Sequence, residues 1–232
     1  VELRGMANGR ARHLSAVLER RVTDVLMSLL EFHRGALGDL QQALDEFLDR
    51  PHYLAQADLA AWAHANEVAY GTTIAAIEGI LKRPFFRHHP PEGDLIGQAR
   101  RLIGALHGDG GVLVARNEAL ICREMAACGD FFDTVETTPL TPEQRKASVV
   151  MEDRNLLVAS AGSGKTSTVV GKVGYALLRG LVAPEEVLIV AFNAHAAREI
   201  EERVHERLAA MIHGPGTIKA RTFHALGLEI IA

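Results

Sequence analysis

Residues 159–166 read ASAGSGKT, a run of small residues closed by a lysine and a hydroxyl. Glycine at 162 and 164 lets the backbone curl with its amide hydrogens turned inward, where a side chain would obstruct an anion. Lys165 supplies a mobile ammonium that can reach the β- and γ-phosphates of a nucleoside triphosphate, and the Thr166 hydroxyl can ligate magnesium. A helix starting beside Lys165 adds unpaired N–H groups and the positive end of its dipole. The pattern is that of a phosphate-binding loop, with Ala159 where the general form has its first glycine. The binding set is Ala159, Ser160, Ala161, Gly162, Ser163, Gly164, Lys165, Thr166 and Ser167. A glycine-rich turn that merely joins a strand to a helix is the plain alternative. Against it, strand, loop, lysine, hydroxyl and helix occur in the right order.

Hydrolysis asks for more, an acidic pair at the carboxyl end of a strand to hold magnesium and position water. Glu185 and Glu186 precede the apolar run VLIVAF and so belong to the opposite edge, about 20 Å away at about 3.3 Å per residue. Asn193 and Thr222, not acids, follow the strands. The sequence therefore predicts a nucleotide site without its catalytic acids.

The elements that must position this loop are short apolar strands alternating with helices. LLVAS begins near Leu156 and VLIVAF near Val187, about one βαβ unit apart, and a third strand is expected from Ile218 to Arg221. The helix between the last two carries the stripe Ala196, Ile200, Val204 and Leu208. This alternation predicts a parallel sheet over residues 138–232. Residues 1–137 differ in texture. Apolar residues recur at helical spacing from Arg12 to Leu48, with a bend expected between Gly35 and Gly38. Further helices are predicted over Gln56–Ala69, Thr72–Leu81, Leu95–Leu106 and Asn117–Ala127, broken by KRPFFRHHPPEGD and HGDGG. A mostly helical N-terminal domain follows. His88, His89, Pro90 and Pro91 have no Cys or acidic partner at ligand spacing, so no metal site is expected there.

Composition sets the bounds. The chain has 232 residues, 48% of them hydrophobic, enough for a sizeable core and one or two domains. Its net charge of −4 argues against coating nucleic acid by bulk electrostatics. Residues 1–137 carry 14 basic against 19 acidic side chains and residues 138–232 carry 11 against 10, so any nucleic-acid site must be a local groove. Cys122 and Cys128 fall on different faces of a predicted helix, and no disulfide is expected. Neither a signal-peptide core nor an apolar run of the roughly 18 residues a membrane helix needs is visible, which predicts a soluble cytoplasmic protein.

The residues around the loop resemble a known family. FFDTVETTPLTPEQRKA upstream, VLIVAFNAHAAREIEERV and ARTFHALGLEII downstream are similar to superfamily 1 UvrD/Rep-like DNA helicases, above all their helicase IV branch, where the last two correspond to motifs Ia and Ib. RNEALICREMAACGDFFDTVE extends the likeness upstream. The resemblance implies that residues 138–232 are the first part of motor domain 1A, a P-loop RecA-like parallel sheet. It implies that Gln144, in Leu140-Thr141-Pro142-Glu143-Gln144, recognises adenine; Thr141 as a helix N-cap with Pro142 in the first turn is equally good local structure and compatible with that role. It further implies that Phe192 stacks on a base of single-stranded DNA, and that Asn193, Thr222, Phe223 and His224 lie along the strand's path. His195 departs from the lysine common in the family, and a neutral imidazole makes a weaker phosphate contact. The expected activity is that of an ATP- and Mg2+-dependent 3′ to 5′ DNA helicase, acting in DNA repair on single-stranded DNA or DNA with a 3′ single-stranded tail. The DExx box, arginine finger and second motor domain are expected beyond Ala232. A non-catalytic ATP- or DNA-binding module and a nuclease-coupled motor of the same superfamily are the alternatives.

Overall fold

The computed structural model describes residues 2–83, 94–108, 111–160, 162–212 and 217–231. The chain divides into two compact units, residues 1–116 and 117–232. The His88–Pro91 cluster and Ala161 lie outside the described residues.

The first unit is built of helices α1 (Glu2–Phe32), α2 (Arg34–Leu48), α3 (Gln56–Leu81) and α4 (Asp94–Leu106). Its apolar spacing produces one shared core. Leu37, Leu40, Leu44 and Phe47 of α2 are buried with Leu59, Trp62, Ile74 and Ile77 of α3 and with Leu95, Ile96, Ala99 and Leu102 of α4. Each such side chain removed from water contributes about 1.5–3 kcal/mol. Trp62 stacks on Phe47 at 5.9 Å between ring centroids, and its indole Nε1 donates to the Ala43 carbonyl at 3.2 Å. The bend expected between Gly35 and Gly38 falls earlier, at His33, whose φ and ψ of −94° and 7° leave the helical range. The two helices expected over residues 56–69 and 72–81 are present as the two arms of α3, which meet at a kink where Tyr70 leaves the helical range at φ −125° and ψ 15°.

Helix α5 (Gly111–Ala127) begins six residues before its expected start and runs across the division between the units. The second unit continues with α6 (Gly129–Thr134), α7 (Pro142–Val149) and α8 (Lys165–Leu178). After these come β1 (Leu188–Ala191), α9 (Ala194–Leu208), β2 (Lys219–Thr222) and α10 (Phe223–Ile231). Helix α8 approaches α6 and α7 through two glycines. A Cβ at Gly171 would meet Leu140 Cδ1 at 2.5 Å, and one at Gly174 would meet Phe131 Cζ at 2.6 Å. Phe132 fills the space between these helices, fully buried and stacked on Tyr175 at 6.2 Å. Glu124 is buried but paired, accepting from the Tyr175 hydroxyl at 3.0 Å and from Arg179 Nε at 2.6 Å. Burial, then the Glu124 carboxylate, pushes the Tyr175 hydroxyl pKa well above the ordinary tyrosine range. The Lys172 ammonium caps the end of α7 through the Ala147 and Val150 carbonyls, and burial lowers its pKa.

β1 and β2 pair in parallel, Leu188 with Lys219 through Ala191 with Thr222, joined by α9, which packs on both. Two of the three expected strands are thus present among the described residues, giving a mainly helical fold with a small parallel sheet. The strand expected from Leu156 is a correction: residues 155–160 make no ladder, and Leu156 and Val158 are 89% and 86% exposed. A parallel strand needs a neighbour for its N–H and C=O groups and cover on both faces. No described strand pairs with this segment, so apolar character alone does not make it a strand. Both cysteines are free, Cys122 exposed and Cys128 buried. Among the described residues no helix is long and apolar enough to cross a membrane.

Candidate functional site

The loop after Ala159 is curled by its own backbone. Gly162 and Gly164 have φ of +77° and +83°, the left-handed region that glycine enters without steric cost. The Ser160 carbonyl lies at the centre of the curl, accepting from Ser163 N at 3.3 Å, Ser163 Oγ at 2.7 Å and Lys165 Nζ at 2.7 Å. Lys165 Nζ also donates to the Ala159 carbonyl at 3.1 Å. This lysine is exposed, so its ammonium rests on the loop yet remains free to swing toward an anion. Gly164 is the N-cap of α8 and its carbonyl accepts from Thr168 N at 3.0 Å and Thr168 Oγ1 at 3.1 Å, which anchors the first turn. Thr166 and Ser167 sit half-buried in that turn.

Gln144 reaches the loop from α7. Its Oε1 accepts from Thr141 N at 2.8 Å while Thr141 Oγ1 accepts from Gln144 N at 3.3 Å, the reciprocal capping box that starts the helix with Pro142 in its first turn. The same side chain donates Nε2 to the Ser163 carbonyl at 3.2 Å and lies 3.5 Å from that of Gly164. A Cβ at position 164 would meet Gln144 Nε2 at 2.5 Å, so a side chain there would displace the Gln144 amide, while the φ of +83° is what calls for glycine.

At the sheet, the register places Ala191 beside Thr222, so the residues that follow each strand emerge together at its carboxyl edge. Phe192 is 91% exposed and Phe223 67%, and Asn193 and His224 are also exposed. Asn193 and Thr222 have local duties as well. Asn193 Oδ1 accepts from Ala196 N at 2.8 Å and Thr222 Oγ1 from Ala225 N at 3.1 Å, capping α9 and α10. His195 is solvent-exposed, 3.9 Å from Glu199. Glu185 and Glu186 lie in a 3-10 turn at the amino end of β1, where Glu186 accepts from Ala183 N at 2.7 Å.

The sequence pattern did not bring forward a buried cluster beside the loop. The Glu136 carboxylate, 3% exposed, faces Arg203 and Arg207, one turn apart on α9, and Arg203 Nη2 donates to Ser167 Oγ at 3.1 Å. The available signal was an i, i+4 arginine pair on a helix whose other charges are mostly acidic, with its partner far upstream in the chain.

Comparison with known proteins finds relatives for the second half of the chain. Residues 140–232 match the UvrD/REP helicase N-terminal domain family. DNA helicase IV of Escherichia coli (strain K12) is 45% identical over 115 residues, covering 50% of this chain and 16% of that protein. ATP-dependent DNA helicase PcrA of Bacillus subtilis (strain 168) is 37% identical over 94 residues, 40% of this chain and 12% of that protein. DNA helicase II of Rickettsia typhi is 35% identical over 92 residues, 40% of this chain and 13% of that protein. The chain thus spans less than a fifth of the curated relatives it matches. From residue 140 onward the chain is similar to the UvrD/REP helicase N-terminal domain, the likeness that the residues flanking 159–166 foretell.

Proposed function

We propose that this chain is the N-terminal part of an ATP-dependent 3′ to 5′ DNA helicase of the cytoplasm, contributing the triphosphate cradle and part of the single-strand path. In this reading residues 138–232 begin a P-loop RecA-like motor domain and residues 1–137 form a helical domain before it. The observation that carries it is a loop turned by left-handed glycines at 162 and 164, in the same unit as two exposed aromatics at one sheet edge. Lys165 leaves the Ala159 and Ser160 carbonyls to meet the β- and γ-phosphates, the amides of 162–166 face them, and Thr166 holds the accompanying Mg2+. A magnesium ion held there would offset the negative charge of the triphosphate. Gln144 offers one amide edge to adenine, at the expense of its bond to Ser163. Phe192 and Phe223 present faces on which any base can stack, which suits a motor that must pass all sequences; Asn193, Thr222 and His224 flank them.

Two results follow for the 232-residue chain. It should bind ATP while showing no DNA-stimulated phosphate release, because no acidic pair follows either described strand. Release above that of a Lys165→Ala control would overturn this assignment. Phe192→Ala should weaken binding of a single-stranded oligonucleotide by roughly five- to 150-fold, the loss of ~1–3 kcal/mol of stacking, while ATP affinity without DNA stays near wild type. Parallel loss of both ligands would show that Phe192 supports the fold instead.

A further inference from the structure

Between the phosphate loop and the sheet edge lies the cluster of Glu136, Arg203, Arg207 and Ser167. Resting on the function just proposed, we infer that Arg203 is a positioning residue that couples the phosphate loop to the single-strand edge. It does so by gripping Ser167 with a guanidinium that the buried Glu136 carboxylate holds from the other side.

Glu136 stands between α6 and α7, and a carboxylate that deeply buried is retained only if it is paired. Arg203 Nε donates to Oε1 at 3.0 Å, and Nη2 stands 3.0 Å from Oε2 in an ion pair whose direction makes no hydrogen bond. The same Nη2 donates to Ser167 Oγ at 3.1 Å. One planar fork therefore spans two elements, which an ammonium could not do. Ser167 is two residues beyond Lys165 in the first turn of α8. Arg203 is in the third turn of α9, the helix that begins directly after Phe192 and Asn193 and packs on both strands. Displacement of the start of α8 as a triphosphate arrives is transmitted through this fork to α9, and through α9 to the turn that carries Phe192.

The cluster also has a second arrangement available. Arg207 Nε is buried without a hydrogen bond and stands 3.7 Å from Glu136 Oε2, itself without one. A slide of α9 that closes this gap satisfies both atoms and draws Arg203 away from Ser167. The carboxylate stays paired throughout, so the exchange leaves no buried charge bare. Two discrete pairings of one buried anion are the kind of element whose equilibrium two ligands can bias from different sides.

The test measures linkage in the 232-residue chain. Affinity for a fluorescent oligo(dT) is read by anisotropy with and without saturating non-hydrolysable ATP analogue and Mg2+. Wild type should show a ratio of the two affinities of at least about fivefold, within the usual range for coupled sites. Arg203→Lys keeps a positive charge opposite Glu136 but loses the fork, and its ratio should fall to within about twofold of unity, with a thermal melt alongside to report the fold. Ser167→Ala removes the far contact; because Ser167 also belongs to the candidate nucleotide-binding turn, its analogue affinity is titrated first so that saturation is kept, and its coupling should be lost likewise. It decides the matter if the lysine variant melts early. A wild-type ratio near unity with both ligands bound, or wild-type ratios in both variants, overturns the clamp and leaves the proposed function standing. If wild type binds neither ligand, the proposed function falls and takes the clamp with it.

Discussion

Lys165→Ala should weaken ATP binding by roughly ten- to 150-fold. A charge-assisted hydrogen bond from the ammonium to the triphosphate contributes ~1.5–3 kcal/mol, and the rest of the cradle, made of amide hydrogens, survives the truncation. AMP lacks the phosphates that this ammonium reaches, so its affinity should change far less. The lysine is exposed and donates only to the Ala159 and Ser160 carbonyls, which water can solvate in its absence. The melting temperature should therefore stay within a few degrees of wild type. Calorimetric titrations of ATP and AMP into both proteins, with melts in the absence of nucleotide, separate the outcomes. Equal loss for the two nucleotides, or a melt many degrees lower, would assign Lys165 to holding the loop's shape.

The second large effect belongs to the interior. Phe132→Ala should cost ~3–5 kcal/mol, a large share of the roughly 5–15 kcal/mol that holds a domain folded. The ring is fully buried, stacks on Tyr175, touches Phe131 at 5.2 Å between centroids and lies under the Arg145 guanidinium at 6.0 Å. Its removal leaves a cavity that α8 cannot close, since Gly174 already brings α8 against Phe131 and Leu208. The second unit should melt lower by on the order of 10–20 °C, followed by circular dichroism. A shift under about 3 °C would mean that α6 is peripheral to this unit's stability.

How far the sequence foretold these features varies with the physics behind each. Helix α9 was legible because Ala196, Ile200, Val204 and Leu208 form a local stripe, and the structure extends it over Ala194–Leu208. The position of β1 was legible from the aliphatic, β-branched run VLIVAF and that of β2 from its place after the helix striped by Ala196 to Leu208, each within a residue or two. The curl of residues 159–166 was legible because glycines at 162 and 164 admit the left-handed backbone they adopt. Leu156–Val158 was misread for the opposite reason: an apolar run states a preference, whereas a strand also needs a partner. His33 shows a similar limit, since the exact place of a break depends on how neighbouring helices pack, whereas the kink at Tyr70 falls where the sequence broke the helix. The Glu136 cluster stayed hidden because its members are 67 residues apart and only folding brings them together. Gln144 was singled out for a nucleotide it could face, yet its hold on the Ser163 carbonyl is visible only in three dimensions.

The two-stranded ladder has a colloidal consequence. Among the described residues each strand has one unpaired outer edge, a row of N–H and C=O groups able to template pairing with another molecule. β2 carries Lys219 and Arg221, and Arg221 donates to the Ala220 carbonyl at 3.0 Å and sits 3.7 Å from Glu229, so charge guards that side. β1 reads Leu188-Ile189-Val190-Ala191 without a single charge, and Leu188 is 48% exposed. Of the two described edges β1 is therefore the less guarded, and any association through this sheet should be lowered more by Leu188→Lys than by a change on β2, read as light scattering against concentration.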